Sequence, residues 1–153
     1  MKNNMKILII LLGVSLRIFA GYNKQYYHTD DIFSFEIIND NSWAEERINE
    51  DNWNKIIDGN ILKSDVEISK EEMFNFNFLE VVGNKEPHPP FYYIVLHIVQ
   101  SLFVDGKFSK WPGIILNIFI YILSSVFLYK LSKFFIKKEL LSLFTVFLFA
   151  INT

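Results

Sequence analysis

Residues 114–128 read IILNIFIYILSSVFL, fifteen consecutive positions without a charged side chain. With its apolar flanks, from Trp111 to Phe135, the stretch is long enough to cross the roughly 30 Å hydrocarbon core of a bilayer with some tilt. Residues 5–22 repeat the pattern behind Lys2 and Lys6, and about 18 residues just suffice for a crossing. Residues 91–104 are apolar for only about 14 positions, the length of a re-entrant or interfacial piece. A fourth apolar segment begins at Leu140 and is still running at Thr153.

The charge is sorted to match. From Tyr22 to His88 the chain carries fifteen of its seventeen carboxylates against six cations, a net −9. The rest carries nine cations against Asp105 and Glu139, a net +7. An acidic polar block between basic-flanked apolar runs reads as a membrane protein with one large loop across the membrane from its N terminus. The expected fold is therefore all-α: polytopic transmembrane helices with one large, mostly helical extracytoplasmic loop. Its parts are an N-terminal transmembrane helix at 1–22, the acidic loop at 23–87, and residues 88–153. That last part holds a short re-entrant or spanning segment, then transmembrane helices of which the last is truncated. A chain that stops mid-span is expected to be an N-terminal fragment.

Several classes of function drop out. The chain has no cysteine, which excludes disulfide frameworks, thiolate metal sites and cysteine nucleophiles. Its three histidines, His28, His88 and His97, are too scattered for a histidine-built metal cluster. No basic patch interleaved with aromatics lies outside the spans, so nucleic acid is not an expected partner. A secretory leader would need small residues before its cleavage point. Ile18-Phe19-Ala20 is a poor site of that kind, so the first segment is expected to remain as an anchor.

The lysines decide between two topologies. If 91–104 crosses, Lys130, Lys133, Lys137 and Lys138 land on the side of the acidic loop, against the usual inward bias of positive charge. If it lies flat or re-enters, they fall inside with Lys2 and Lys6. The second arrangement is expected, at the cost of leaving Lys107 and Lys110 outside or at the interface. Within the loop, Ser42-Trp43-Ala44-Glu45 matches a capping box, and an apolar stripe from Trp43 to Ile57 follows before Asp58-Gly59. Asp65-Val66-Glu67-Ile68-Ser69 alternates like a short strand, and Ser69-Lys70-Glu71-Glu72 opens like a helix.

Three places could carry chemistry. Asp30-Asp31 follows the first segment closely. One carboxylate of such a pair can take a proton from an attacking hydroxyl while its neighbour orients a substrate, and crowding raises one pKa. The structural alternative is that Asp30 N-caps a helix over residues 32–38. Glu86-Pro87-His88-Pro89-Pro90-Phe91-Tyr92-Tyr93 holds a histidine in a proline-stiffened entry to the membrane. There His88 could bind a phosphate or sugar hydroxyl or be a satisfied residue at a bend. Arg17, inside an apolar segment, needs a partner: a lipid phosphate, held bidentately, or a loop carboxylate. His97, one helical turn past Tyr93, reads as a packed polar residue.

Thr29-Asp30-Asp31 followed by His88-Pro89-Pro90-Phe91-Tyr92-Tyr93 resembles the start of bacterial family 39 glycosyltransferases. These are integral-membrane relatives of protein O-mannosyltransferases and aminoarabinose transferases. Met73-Phe74-Asn75-Phe76 and Phe108-Ser109-Lys110-Trp111 are similar in kind. The resemblance implies transfer of a sugar from a polyprenyl-phosphate donor to an acceptor on the outer face of a bacterial plasma membrane. It implies Asp30 as general base beside Asp31, which stands where glutamate is usual. His88 and Tyr92 would shape the donor site, and Arg17 would face the lipid phosphate. The acceptor is not legible. Two adjacent aspartates are an incomplete oxygen cage for magnesium or manganese, which substrate phosphate could complete. The rival expectation is a non-enzymatic transporter or assembly subunit whose acidic loop binds partners.

Overall fold

The computed structural model describes residues 2–26, 28–39, 66–85, 89–103 and 108–152. Six α-helices order them: α1 (Lys2–Asn23), α2 (Thr29–Asn39), α3 (Phe78–Lys85), α4 (Pro90–Phe103), α5 (Trp111–Ile136) and α6 (Glu139–Ile151). Among the described residues there is no strand. The capping box at 42–45 and the apolar stripe at 43–57 lie outside the described residues. The chain forms two compact units, residues 1–25 with 114–153, and residues 26–113.

The first unit holds α1, nearly all of α5, and α6. Helix α1 has 22 residues, about 33 Å at 1.5 Å per residue. Helix α5 has 26, about 39 Å on the same rise. Both are long and apolar enough to cross a membrane. Their outward faces carry side chains that water would not favour: Phe19 is 69% exposed, Phe127 66% and Phe134 73%. Helices that turn their largest apolar groups outward fit a lipid surround rather than an aqueous one.

Contacts inside this unit give the helix directions. Near the start of α1, the Lys6 ammonium lies 5.2 Å from the centre of the Tyr129 ring, toward the end of α5. Near the end of α1, Gly21 faces Ile114, where an added Cβ would stand 2.9 Å from Cδ1. The two helices are therefore antiparallel. Helix α6 starts beside the end of α5, where Glu139 takes an ion pair from Lys133 at 3.4 Å and a hydrogen bond from the Tyr129 hydroxyl at 3.3 Å. It ends with Ala150 against Gly13, so it runs parallel to α1. The turn between α5 and α6 places Lys137 at φ 58°, with its N–H bonded to the Lys133 carbonyl at 3.2 Å. This is a left-handed helix end built without the usual glycine.

The second unit packs α2, α3 and α4 on one another. Its core is Phe35, Ile37, Ile38, Val66, Ile68, Phe78, Val82, Tyr93 and Leu96. Phe35 meets Phe108 edge to face at 5.1 Å. Helix α4 has 14 residues, about 21 Å, too short for the ~30 Å core. It buries Tyr93, Leu96, His97, Gln100 and Ser101, the spacing of one helical face. The acidic stretch and the short apolar helix thus share one core. The unit ends at Gly113, beyond the division at residue 87 drawn from composition.

Two local expectations are corrected. Val66 and Ile68 do point inward and are buried, but residues 66–69 form a connector without a ladder partner rather than a strand. Side-chain amides take the place of that partner: Asn39 and Gln100 both donate to the Val66 carbonyl, at 2.8 and 3.4 Å. Ser69 and Glu72 do form a reciprocal capping box, Ser69 N–H to Glu72 Oε2 at 2.7 Å and Glu72 N–H to Ser69 Oγ at 3.3 Å. The box starts a single turn and no helix, because Phe74 takes φ 57° and its N–H turns to Ser101 Oγ at 3.1 Å.

Candidate functional site

The first turn of α2 positions the acidic pair. The His28 carbonyl accepts from the N–H groups of Asp31 at 3.0 Å and Ile32 at 3.3 Å. The Asp31 carboxylate in turn accepts the His28 N–H at 3.0 Å. His28 is therefore the N-cap residue, and Asp31 fills the third helical position with the back-reaching role of a capping box. That corrects the expectation of Asp30 as the cap. Asp30 is the second residue of the helix, where negative charge suits the helix dipole. Its side chain lies outside the described residues.

Tyr92 sits in the first turn of α4 and is half-buried. Burial raises its phenol above the ordinary 10.0, and the negative charge of Asp31 raises it further. Two groups 61 positions apart in the chain thus share one electrostatic neighbourhood. Pro90 opens α4, where its missing N–H costs nothing. His88, with Glu86 and Pro87, lies outside the described residues.

Arg17 belongs to the first unit and has partners that neither sequence reading named. Its guanidinium donates to the carbonyls of Gly13 at 3.2 Å, Ala150 at 3.2 Å and Asn152 at 3.3 Å. It also stacks 3.7 Å from the centre of the Tyr121 ring, with Phe149 at 5.9 Å. Carbonyl dipoles and aromatic faces replace the hydration that a cation loses among apolar helices. Beside it opens a groove of about 610 Å³ lined by Arg17, Asn23, Lys24, Asn117 and Asn152 among apolar neighbours. Among the described residues the groove offers cations and amides, a chemistry that suits an anion.

Sequence reasoning placed His97 as a packed residue, and it is fully enclosed, with 0% exposure. Its ring packs against both Phe76 at 5.3 Å and Phe78 at 5.1 Å, which also touch each other. Neither ring nitrogen has a hydrogen-bond partner among the described residues. Burial lowers its pKa below 6.5, against smaller raising effects from the nearby backbone of Ile38 and Glu72 and from the Glu72 charge. The polar face formed by His97, Gln100 and Ser101 with Asn39 was missed. Its signal was present as polar residues at helical spacing in an apolar run. Among the described residues no group of three His, Asp or Glu side chains could hold a metal ion. No protein-family model, curated protein or solved structure matches this chain.

Proposed function

We propose that the chain acts in a membrane glycosyltransferase that moves a sugar from a polyprenyl-phosphate donor to an acceptor at the outer face of a bacterial plasma membrane. The observation that carries this reading is the packing of α2 on α4, which brings the charge of Asp31 to bear on Tyr92. It supports joining the acidic pair and the proline-rich motif in one site, as the resemblance requires. In the reaction the acceptor hydroxyl attacks the anomeric carbon while Asp30 takes its proton. The bond from that carbon to the phosphate oxygen breaks, and polyprenyl phosphate leaves. By the resemblance, cationic support for the departing phosphate would fall to Arg17.

The antiparallel pairing of α1 and α5 supports the matching topology. With α4 too short to cross, the acidic residues lie outside and Lys130, Lys133, Lys137 and Lys138 lie inside with Lys6. A non-enzymatic membrane protein is the second reading. It is favoured by the use of Asp31 as a helix-capping group and of Arg17 as an interhelical clamp.

The test is transfer from radiolabelled polyprenyl-phosphate hexoses and pentoses in membranes carrying the chain. Asp30→Asn should lower transfer at least about 100-fold while leaving donor retained. Undiminished turnover would remove Asp30 as the base. Equal transfer with and without the chain, in membranes that hold the remainder of the transferase, would favour the second reading.

A further inference from the structure

The buried imidazole of His97 is unused by the proposed chemistry, and burial tips its surroundings toward the neutral form. Phe76 and Phe78 pack against its ring, and neither nitrogen completes a hydrogen bond among the described residues, although the backbone of Ile38 and Glu72 lies near enough to favour the proton slightly. It lies on the face of α4 that packs against α2 and α3. Two further acceptors in the same core, Asn39 Oδ1 and Gln100 Oε1, are also unpartnered. Among the described residues this seam is held by apolar packing, two amide bonds to the Val66 carbonyl and the Phe74 N–H bond to Ser101, and the nearest counter-charge to a protonated ring is Glu72.

The charged groups around the seam do not change that balance. Glu36 of α2 is buried but already has an interaction of its own. In the turn, Glu72 favours the protonated ring, yet its carboxylate is held by the Ser69 N–H. Glu67, on the connector, accepts the Phe108 N–H at 3.3 Å. Helix α3 turns Phe78 inward and leaves Glu80 exposed. On α4 itself the neighbouring titratable group is Tyr93, a buried phenol that carries no charge in this pH range. Desolvation therefore outweighs local attraction, and a proton on His97 favours a state in which the ring reaches water.

We propose that His97 is an acid-sensitive latch: its protonation releases α4 from α2 and opens the unit formed by residues 26–113. The sign follows from the buried neutral ring. The closed form is fully favoured above the ordinary histidine range. It loses ground as pH falls below about 6.5, by at most tenfold per pH unit for one proton. Asp31 sits at the start of α2 and Tyr92 at the start of α4, so opening would part them. That consequence for sugar transfer rests on the proposed transferase reading, and the latch itself does not.

The test is amide hydrogen exchange on the full chain in lipid nanodiscs, corrected for intrinsic rates. Protection of α2 and α4 in the parent should fall progressively between pH 6.5 and 5.0, to a limit of about 16-fold, while α1 and α5 stay unchanged. His97→Phe should hold that loss below about twofold, and His28→Gln should respond as the parent does. Unchanged protection in the parent, or an equal loss in His97→Phe, would overturn the latch. If His97→Phe does not fold, the carbon-13 shift of the His97 imidazole in the parent decides. A titration midpoint well below 6.5 supports the latch, and one at or above 6.5 overturns it. Exchange needs no sugar donor, so the latch and the enzymatic reading can fail separately.

Discussion

Asp31, Tyr92 and Arg17 show how much a side chain's work depends on its partners. Asp31 closes the start of α2, and removing that carboxylate leaves the His28 N–H without its acceptor. Asp31→Ala should lower stability by about 1 kcal/mol, the usual worth of such a cap, read from denaturant unfolding of the detergent-solubilised protein. Asp31→Asn should also bring the Tyr92 phenol down toward 10.0, because it removes the second cause of the raised value. Absorbance at 295 nm followed through the alkaline range measures this. A phenol raised on folding stabilises fully below its unfolded pKa, and that contribution is lost as pH climbs past 10 toward the folded value. Arg17→Gln leaves the carbonyls of Ala150 and Asn152 without their donor. The expected cost is about 1–3 kcal/mol, seen as faster amide exchange in α6 and a lower midpoint of thermal unfolding.

Helices in this chain meet through small residues and end through specific backbone geometry. Gly13 admits the Tyr121 phenol and stands against Ala150, whose Cβ would be 3.1 Å from an added Cβ. Gly13→Leu should therefore separate α1 from α5 and α6, with a loss of several kcal/mol, at or above the usual range of about 1–3 for overpacking. Cross-linking between α1 and α6 through introduced cysteine pairs would report it. The turn after Ser69 ends because Phe74 is left-handed at φ 57°, a conformation that costs a bulky residue roughly 1–2 kcal/mol. Asparagine tolerates it better, so Phe74→Asn should stabilise by about 0.5–1 kcal/mol, provided the half-exposed phenyl ring contributes little packing. Helix α4 illustrates the limit of reading apolar runs. Its length excluded a crossing, but its buried face is half polar, and periodicity alone did not mark those residues as core.

For the whole chain, the absence of native cysteine makes sidedness directly measurable. Lys70 and Lys138 are exposed positions in the two different units. In sealed right-side-out vesicles an impermeant maleimide should label Lys70→Cys at once and Lys138→Cys only after permeabilisation. Labelling of both from the same face would reject the arrangement in which α4 stays on one side. Hydropathy and charge were enough to read helices at 5–22, 91–104, 111–135 and from 140, because apolar runs and their lengths are local properties of the chain. A first-turn role for the acidic pair was also legible, although the cap proved to be His28. What sequence could not supply was any contact between distant positions. The clamp of Arg17 on the α6 carbonyls and the packing of His97 against Phe76 and Phe78 join residues that no local pattern pairs. Each exists only because separate helices bury their faces together, and burial is what turns an ordinary titratable side chain into a perturbed one.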